Sequence, residues 1–516
     1  MLQNRLFSFG TAFICFILLS LNCVYAEDFT ADDTQNLMYA LSKANSMPNE
    51  SHKIDITNDV SLSSAVTEAV SIELNGSNID NHNVLSLDGY IFTFNGAGKS
   101  SKIADLDIQS DKQGSGIVVN NQTFTIDSSN FYGNSFNDNN AIITSNSGSL
   151  DIINSSFKNN TGWSGGAIAN KGTGSLNMEK STVSQNKAYE GGGLYIVSGT
   201  TEISDTNITE NNSTYRGGGI YFANGTGRIK NSILSNNTAS IQGGASYING
   251  GTLNITDSII NENIASMGGG ALFINSGDVT LNNTSFDKNS VTSGSLGGAI
   301  NNAGVLKIEN NSIFTNNTIQ SGTGGAISNS GTLTIDNALF DSNSAGNDGG
   351  AISNSGSLIV SNSTFTGNNA VSGHGGAIYI GSDTNVNMSG TAQFINNTAK
   401  EGLGGALYIQ GIMDINADNP EDSIIFSGNT DSSGSNAFHL HIDPNDPSYI
   451  GTMNLNVSNG SKIVLADNIS GLEGTKLNIN GTSSYNDNIF LGSANNDFKG
   501  DITTKNINLN FYDRQS

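Results

Sequence analysis

The sequence predicts an all-β fold, a single-stranded parallel β-helix of roughly 18 coils with a short capping helix at its N-terminal end. Three observations carry this. Gly-Gly pairs begin at Gly165, Gly191, Gly217, Gly243, Gly269, Gly297, Gly324, Gly349, Gly375 and Gly404, spaced 25 to 29 residues apart. An apolar residue, two others and then Asn recur on the same period, as in Phe131 with Asn134, Phe157 with Asn160, Val183 with Asn186, Phe340 with Asn343 and Phe426 with Asn429. Near Ile313 two registers are open, Ile313 with Asn316 or Phe314 with Asn317. About five residues ahead of most copies stands an alternating apolar pair, for example Leu333-Thr334-Ile335 before Phe340.

Alternation with period 2 marks a strand with one buried face, and no 3.6-residue period is visible that would support a helical repeat. Asn-Ser-Gly at Asn329-Ser330-Gly331 and Asn354-Ser355-Gly356 supplies turn chemistry, because Asn and Gly tolerate positive φ. One unit of this size cannot bury its own apolar face, so successive units must stack. Equivalent residues then lie about 4.8 Å apart, which gives a rod of about 85 Å. Phe at one position can stack inside the core. Asn154, Asn231, Asn283, Asn337 and Asn362 are expected to form an amide ladder at a turn, and Gly-Gly-Ala fits where larger side chains would strike the next coil. Residues 33–45 place Leu37, Ala40, Leu41 and Ala44 on one face, which predicts the capping helix that the end of a solenoid requires.

Composition restricts the function. The chain has 21 Lys+Arg against 45 Asp+Glu, a net charge of −24, which argues against a nucleic-acid partner. Charged residues are only 13% and Gly reaches 62 of 516, a composition unsuited to long helices. Residues 1–26 read as a signal peptide, with Arg5, an apolar stretch and Val24-Tyr25-Ala26 before Glu27. Both cysteines, Cys15 and Cys23, fall inside it, and Asn22 stands where lipoprotein attachment at Cys23 would need a small residue. The mature chain is therefore expected to be secreted, without cysteine and without a transmembrane segment. The organisation expected is a signal peptide over 1–26, a cap and degenerate coils over 27–130, regular coils over 131–429 and C-terminal coils over 430–516.

Gly-Gly-Ala-Ile/Leu paired with Phe-x-x-Asn resembles the repeats of the chlamydial-type polymorphic membrane proteins, autotransporter adhesins with a β-helical passenger. Matching copies run from Phe131 to Asn429. The resemblance extends to Ile424-Ile425-Phe426-Ser427-Gly428-Asn429, Asn436-Ala437-Phe438-His439-Leu440, Gly460-Ser461-Lys462-Ile463 and Asp467-Asn468-Ile469. It implies a right-handed parallel β-helix of the pectin-lyase-like type, display at a bacterial outer membrane or secretion from it, and an adhesive rather than enzymatic role. The family's membrane barrel does not fit into the 87 residues after Asn429, since eight strands of about 10 residues would fill them before any loop. The expectation is a passenger alone, secreted or held by another component.

The candidate partner-binding surface is an aromatic strip four residues after successive Gly-Gly starts, Tyr195, Tyr221, Tyr247 and Phe273, with Tyr379 and Tyr408 recurring later. Its neighbours along the strand, such as Leu194 and Ile196, are apolar, so alternation turns the strip outward. An exposed strip of this kind could contact a glycan or protein on a host or neighbouring cell; the alternative is a ladder that stabilises its own sheet. No catalytic, cofactor or metal set is identified. Arg216 reads as a turn residue beside a Gly run. Asp414, Asp418 and Asp422, and Asp443 with Asp446, read as solvated turns rather than Ca²⁺ loops. His439 and His441 lack a third ligand, and His374 precedes a Gly-Gly pair. Two alternatives to the adhesin stay open, a secreted polysaccharide lyase or hydrolase and a structural surface-layer or biofilm component.

Overall fold

The computed structural model describes residues 28–78, 82–136, 140–443, 446–482, 488–492 and 497–512. The signal peptide expected over residues 1–26, with Cys15 and Cys23, lies outside them. The chain winds into a parallel β-helix whose first sheet contains 19 strands, one per turn, in agreement with the coil number expected.

One regular coil illustrates the rest. It runs from Thr332–Asp336 on the first sheet to Ala338–Asp341 on the second, then through the two-residue strand Ser344–Ala345 to Ile352–Asn354 on the third. The first corner is Asn337 (φ 53°) and the second Ser342 (φ 56°). The same first corner is filled by Asn154, Asn231, Asn283 and Asn362, each in the left-handed region. This is the conformation that Asn adopts at least cost among residues with a side chain. The third corner uses the Gly-Gly pair for two separate reasons. Gly349 has φ 68°, and a β-carbon there would overlap the Ile352 carbonyl within its own coil; one at Gly350 would overlap the Gly376 carbonyl of the next coil.

Inside, Leu333, Ile335, Phe340 and Ile352 are fully buried. Phe286, Phe314, Phe340, Phe365, Phe394 and Phe426 occupy one register, so of the two registers open near Ile313 the chain takes Phe314 with Asn317. Their ring centroids are 4.7–4.8 Å apart with interplanar angles of 4–11°. The coil rise imposes this near-parallel stacking, although ring quadrupoles favour offset or edge-on pairs. The stabilisation is therefore chiefly burial, about 1.5–3 kcal/mol per ring.

The amide ladder differs from the one expected. Asn231, Asn283, Asn337 and Asn362 do reach across to the preceding coil, but from exposed corners, for example Asn337 Nδ2 to Asn311 Oδ1 at 3.1 Å. The continuous ladder is made by the Asn of Phe-x-x-Asn, inside the second corner. From Asn134 to Asn429 each side-chain amide donates to the Oδ1 of the next copy. Asp467 closes the series by accepting from Asn429 at 2.9 Å.

The helix spans Thr34–Asn45, with Asp33 as its N-cap accepting from Asn36 N at 2.7 Å. Leu37, Ala40, Leu41 and Ala44 are its buried residues, as the sequence indicates. Near the other end the coils are interrupted by an antiparallel hairpin, Ile442–Asp443 with Asp446–Ile450. Among the described residues, no helix is long and apolar enough to cross a membrane.

Candidate functional site

Tyr195, Tyr221, Tyr247 and Phe273 lie in register on the third sheet, as their 26-residue spacing requires. Their rings stack at 5.0, 5.3 and 5.4 Å. Alternation turns them away from the main core, and they form a separate apolar cluster with Ala223. They are not, however, the exposed strip expected. Tyr221 and Phe273 are 8% exposed and Tyr247 2%, with only Tyr195 half-buried. The Gly-Gly corner explains the burial. A β-carbon at Gly191 would come 3.2 Å from Tyr221 Cβ, and one at Gly268 3.3 Å from Phe273 Cε2. Bare backbone at that corner lets the rings lie against it, and burial raises the Tyr221 hydroxyl above its ordinary range.

The exposed aromatic column lies on the other side of the same corner, two residues before each Gly-Gly start. Trp163, Tyr189 and Tyr215 stack at 5.0 and 5.1 Å with interplanar angles of 19° and 7°. Ile241 and Met267 continue the column, each backbone N–H donating to the carbonyl of the residue below, Ile241 to Tyr215 and Met267 to Ile241. Trp163 is 48% exposed, Tyr189 38% and Met267 53%. Five consecutive coils thus present an apolar ridge of about 19 Å at the 4.8 Å inter-coil spacing. The sequence signal was available: the chain's one Trp and two Tyr share a single offset from Gly165, Gly191 and Gly217. Attention to the residues after the glycines missed it.

Arg216 joins the two columns. Its guanidinium carbon lies 4.6 Å from the centroid of Tyr215 in the exposed column and 4.7 Å from that of Tyr247 in the buried one. The turn role expected for it is replaced by a cation held between two aromatic faces.

The buried column resumes after Asn301, Ser328 and Ser353 as Tyr379, Tyr408 and His439, which follow one another on the third sheet. Here the structure gathers three histidines that the sequence keeps apart. His374 stacks on Tyr408 at 4.3 Å, while His439 and His441 each lie 5.4 Å from it and 6.1 Å from one another. Tyr379 donates to Gln410 Oε1 at 2.7 Å, and burial pushes its hydroxyl up to about 12. His439 is 5% exposed, with Nδ1 2.9 Å from Ser470 Oγ. Burial, then neighbouring His441, pushes it down to about 4, against weaker opposing attraction from Asp431 and Asp497.

A folded-state value below the ordinary 6.5 means the unfolded chain binds more protons between the two values. Stability is therefore complete above pH 6.5 and falls as pH drops towards 4, by about 3 kcal/mol for this group. The protection of amides around residues 434–440, taken relative to the intrinsic exchange rate at each pH, should fall between pH 6.5 and 4, and His439→Gln should remove most of that fall. Equal acid sensitivity in wild type and variant would contradict this.

The other candidates are occupied by local structure. Asp422 Oδ2 accepts from Asp418 N and Asn419 N at 2.8 and 2.9 Å, closing its own turn, and Asp414 Oδ1 accepts from Asn454 Nδ2 at 2.6 Å. Among the described residues, no three His, Cys, Asp or Glu side chains group as a metal site. A depression of about 510 Å³ on the N-terminal coils is lined in part by Asp28, Lys53, Glu73 and Lys102. These succeed one another across the sheet with alternating sign, a charge ladder rather than a facing carboxylate pair.

Fold and surface together define a repeat-built β-helical rod whose corners carry ladders of Phe, Asn and aromatic residues. Residues 337–355 and 362–381 match the Chlamydia polymorphic membrane protein repeat. In these repeats the chain is similar to that family, and the parallel β-helix accommodates the repeats one per coil. No curated protein matches it.

Proposed function

We propose that the chain is displayed at a bacterial cell surface, associated with the outer membrane or shed from it, and acts there as an adhesin, by binding rather than by catalysis. The repeat match supports surface display. The observation that carries the binding role is the ridge of Trp163, Tyr189, Tyr215, Ile241 and Met267 along the third corner. Exposed aromatic side chains present a large contact area at small entropic cost, which is why they dominate interfaces.

Protease shaving of intact producing cells should release peptides from residues 131–429. Protein found intact and only in the medium would remove the anchored form of the proposal. The purified mature chain should bind target cells saturably. Trp163→Ser with Tyr189→Ser should weaken that binding at least tenfold without changing the β-sheet circular dichroism, because both side chains lie outside the core. Undiminished binding by the double variant would remove the ridge from the proposal.

A further inference from the structure

We infer that the ridge is built to dock a protein partner presenting an apolar strip with a carboxylate directed at Arg216. The inference rests on the surface-interaction role proposed above and names the chemistry of the partner.

Ring orientation separates a protein partner from a saccharide. A sugar packs its C–H groups on an aromatic face, but here faces meet faces along the column, at 5.0 and 5.1 Å, and ring edges point outward. Ile241 and Met267, which extend the ridge, carry no hydrogen-bonding group for sugar hydroxyls. Ring edges followed by aliphatic and thioether side chains match the apolar side chains of a protein surface.

Charge supplies the second half. Arg216 Nε is buried with no hydrogen-bond partner, and among the described residues the ion pairs formed within 4.0 Å do not include Arg216. Glu190, paired with it in register, acts on it only at longer range. A partly desolvated guanidinium held by rings favours a carboxylate acceptor over water. Two lysines reinforce the field. Lys187 is exposed beside the ridge, and Lys171 Nζ donates at 2.9 Å to Asn140, whose carbonyl accepts from Trp163 N. Residues 163–267, which the ridge spans, hold six Lys or Arg and seven Asp or Glu, a net of −1 on a chain of −24. The ridge thus sits on a nearly neutral stretch, where an acidic partner meets little repulsion from the rod.

The test is selection of a phage-displayed random peptide library on the full mature protein, with a glycan array probed in parallel. Enriched peptides should combine Asp or Glu with aromatic or aliphatic residues. Their affinity should fall at least tenfold on Arg216→Gln and on Tyr189→Ser, and should weaken as salt is raised. Arg216→Gln tests the carboxylate contact, while Tyr189→Ser, at an exposed position, guards against a folding defect. Failure to enrich any peptide, enrichment of basic or purely polar peptides, or peptides binding Arg216→Gln equally well would overturn the inference. So would array binding to a glycan that the ridge variants lose. Protease shaving reads surface display independently, so a failure there is distinguishable from a failure here.

Discussion

Replacing Asn343 with Leu should destabilise the coils around it by roughly 2–6 kcal/mol, because four buried side-chain hydrogen bonds are lost at about 0.5–1.5 kcal/mol each. Asn343 Nδ2 donates to the Phe314 carbonyl at 2.9 Å and to Asn368 Oδ1 at 3.0 Å. Its own Oδ1 accepts from Asn317 N at 3.1 Å and from Asn317 Nδ2 at 2.9 Å. Leu fills a similar volume and satisfies none of them. The loss should spread along the ladder, since each amide orients the next one in a low-dielectric interior. Hydrogen exchange at coils 286–397 and urea unfolding would report it. The control is Asn337→Ala at the exposed corner, where the left-handed conformation and one surface hydrogen bond are lost, about 1–2 kcal/mol. Similar effects for the two variants would contradict the view that the buried ladder, rather than the corner amides, holds the coils together.

Glu68→Gln should stabilise the N-terminal coils at neutral and alkaline pH. Glu68 is 1% exposed, Oε2 has no hydrogen-bond partner, and the residue is in register with Phe94 in the core. Burial alone pushes its carboxyl up to about 8 from an ordinary 4.5. The folded chain therefore holds a proton that the unfolded chain releases from about pH 4.5 upward. Stability is complete below 4.5 and is lost as pH rises through 8, by about 3 kcal/mol at pH 7 and about 5 kcal/mol at pH 9. The protection of amides at residues 66–94, taken relative to the intrinsic exchange rate at each pH, should fall over that interval in the wild type and stay nearly constant in Glu68→Gln. Coils at the two ends of the rod then respond to pH in opposite senses, the His439 region opening in acid and the Glu68 region in alkali. A wild-type N-terminal segment indifferent to pH between 5 and 9 would exclude the buried carboxyl as the cause.

Period 26 made the fold legible. A strand pair such as Leu333 and Ile335, the Phe of Phe340 and the Gly-Gly at Gly349 each recur in one repeat, and stacking follows because a single coil leaves its apolar face open. The capping helix was legible for a similar local reason, four apolar residues on one face, while its Asp33 cap emerged only in the structure. The ladder was misplaced because two Asn positions share the repeat. Asn337 and Asn343 are six residues apart, and only closure of the second corner decides which of them is enclosed.

The exposed site was less legible. Alternation along Leu194-Tyr195-Ile196 correctly turned the Tyr column off the main core, but outward-facing and accessible are different properties. The glycine backbone at the third corner covers Tyr221 and Phe273, leaving Trp163 and Tyr189 at the surface. No one-dimensional pattern reports that a neighbouring corner folds over a strand.

The sequence by itself determined the repeat, the parallel stacking, the number of coils, the Phe column and the cap, because each follows from short-range periodicity and the 4.8 Å spacing of strands. Tertiary structure alone decided which Asn carries the ladder, which aromatic column meets solvent, and that Arg216 lies between two rings. It also brought His374, His439 and His441 around Tyr408 from three separate stretches of chain. The physical reason is that solvent exposure and electrostatic environment belong to the space between corners. Residues about 26 apart come within 5 Å there, and residues 65 apart can share one ring.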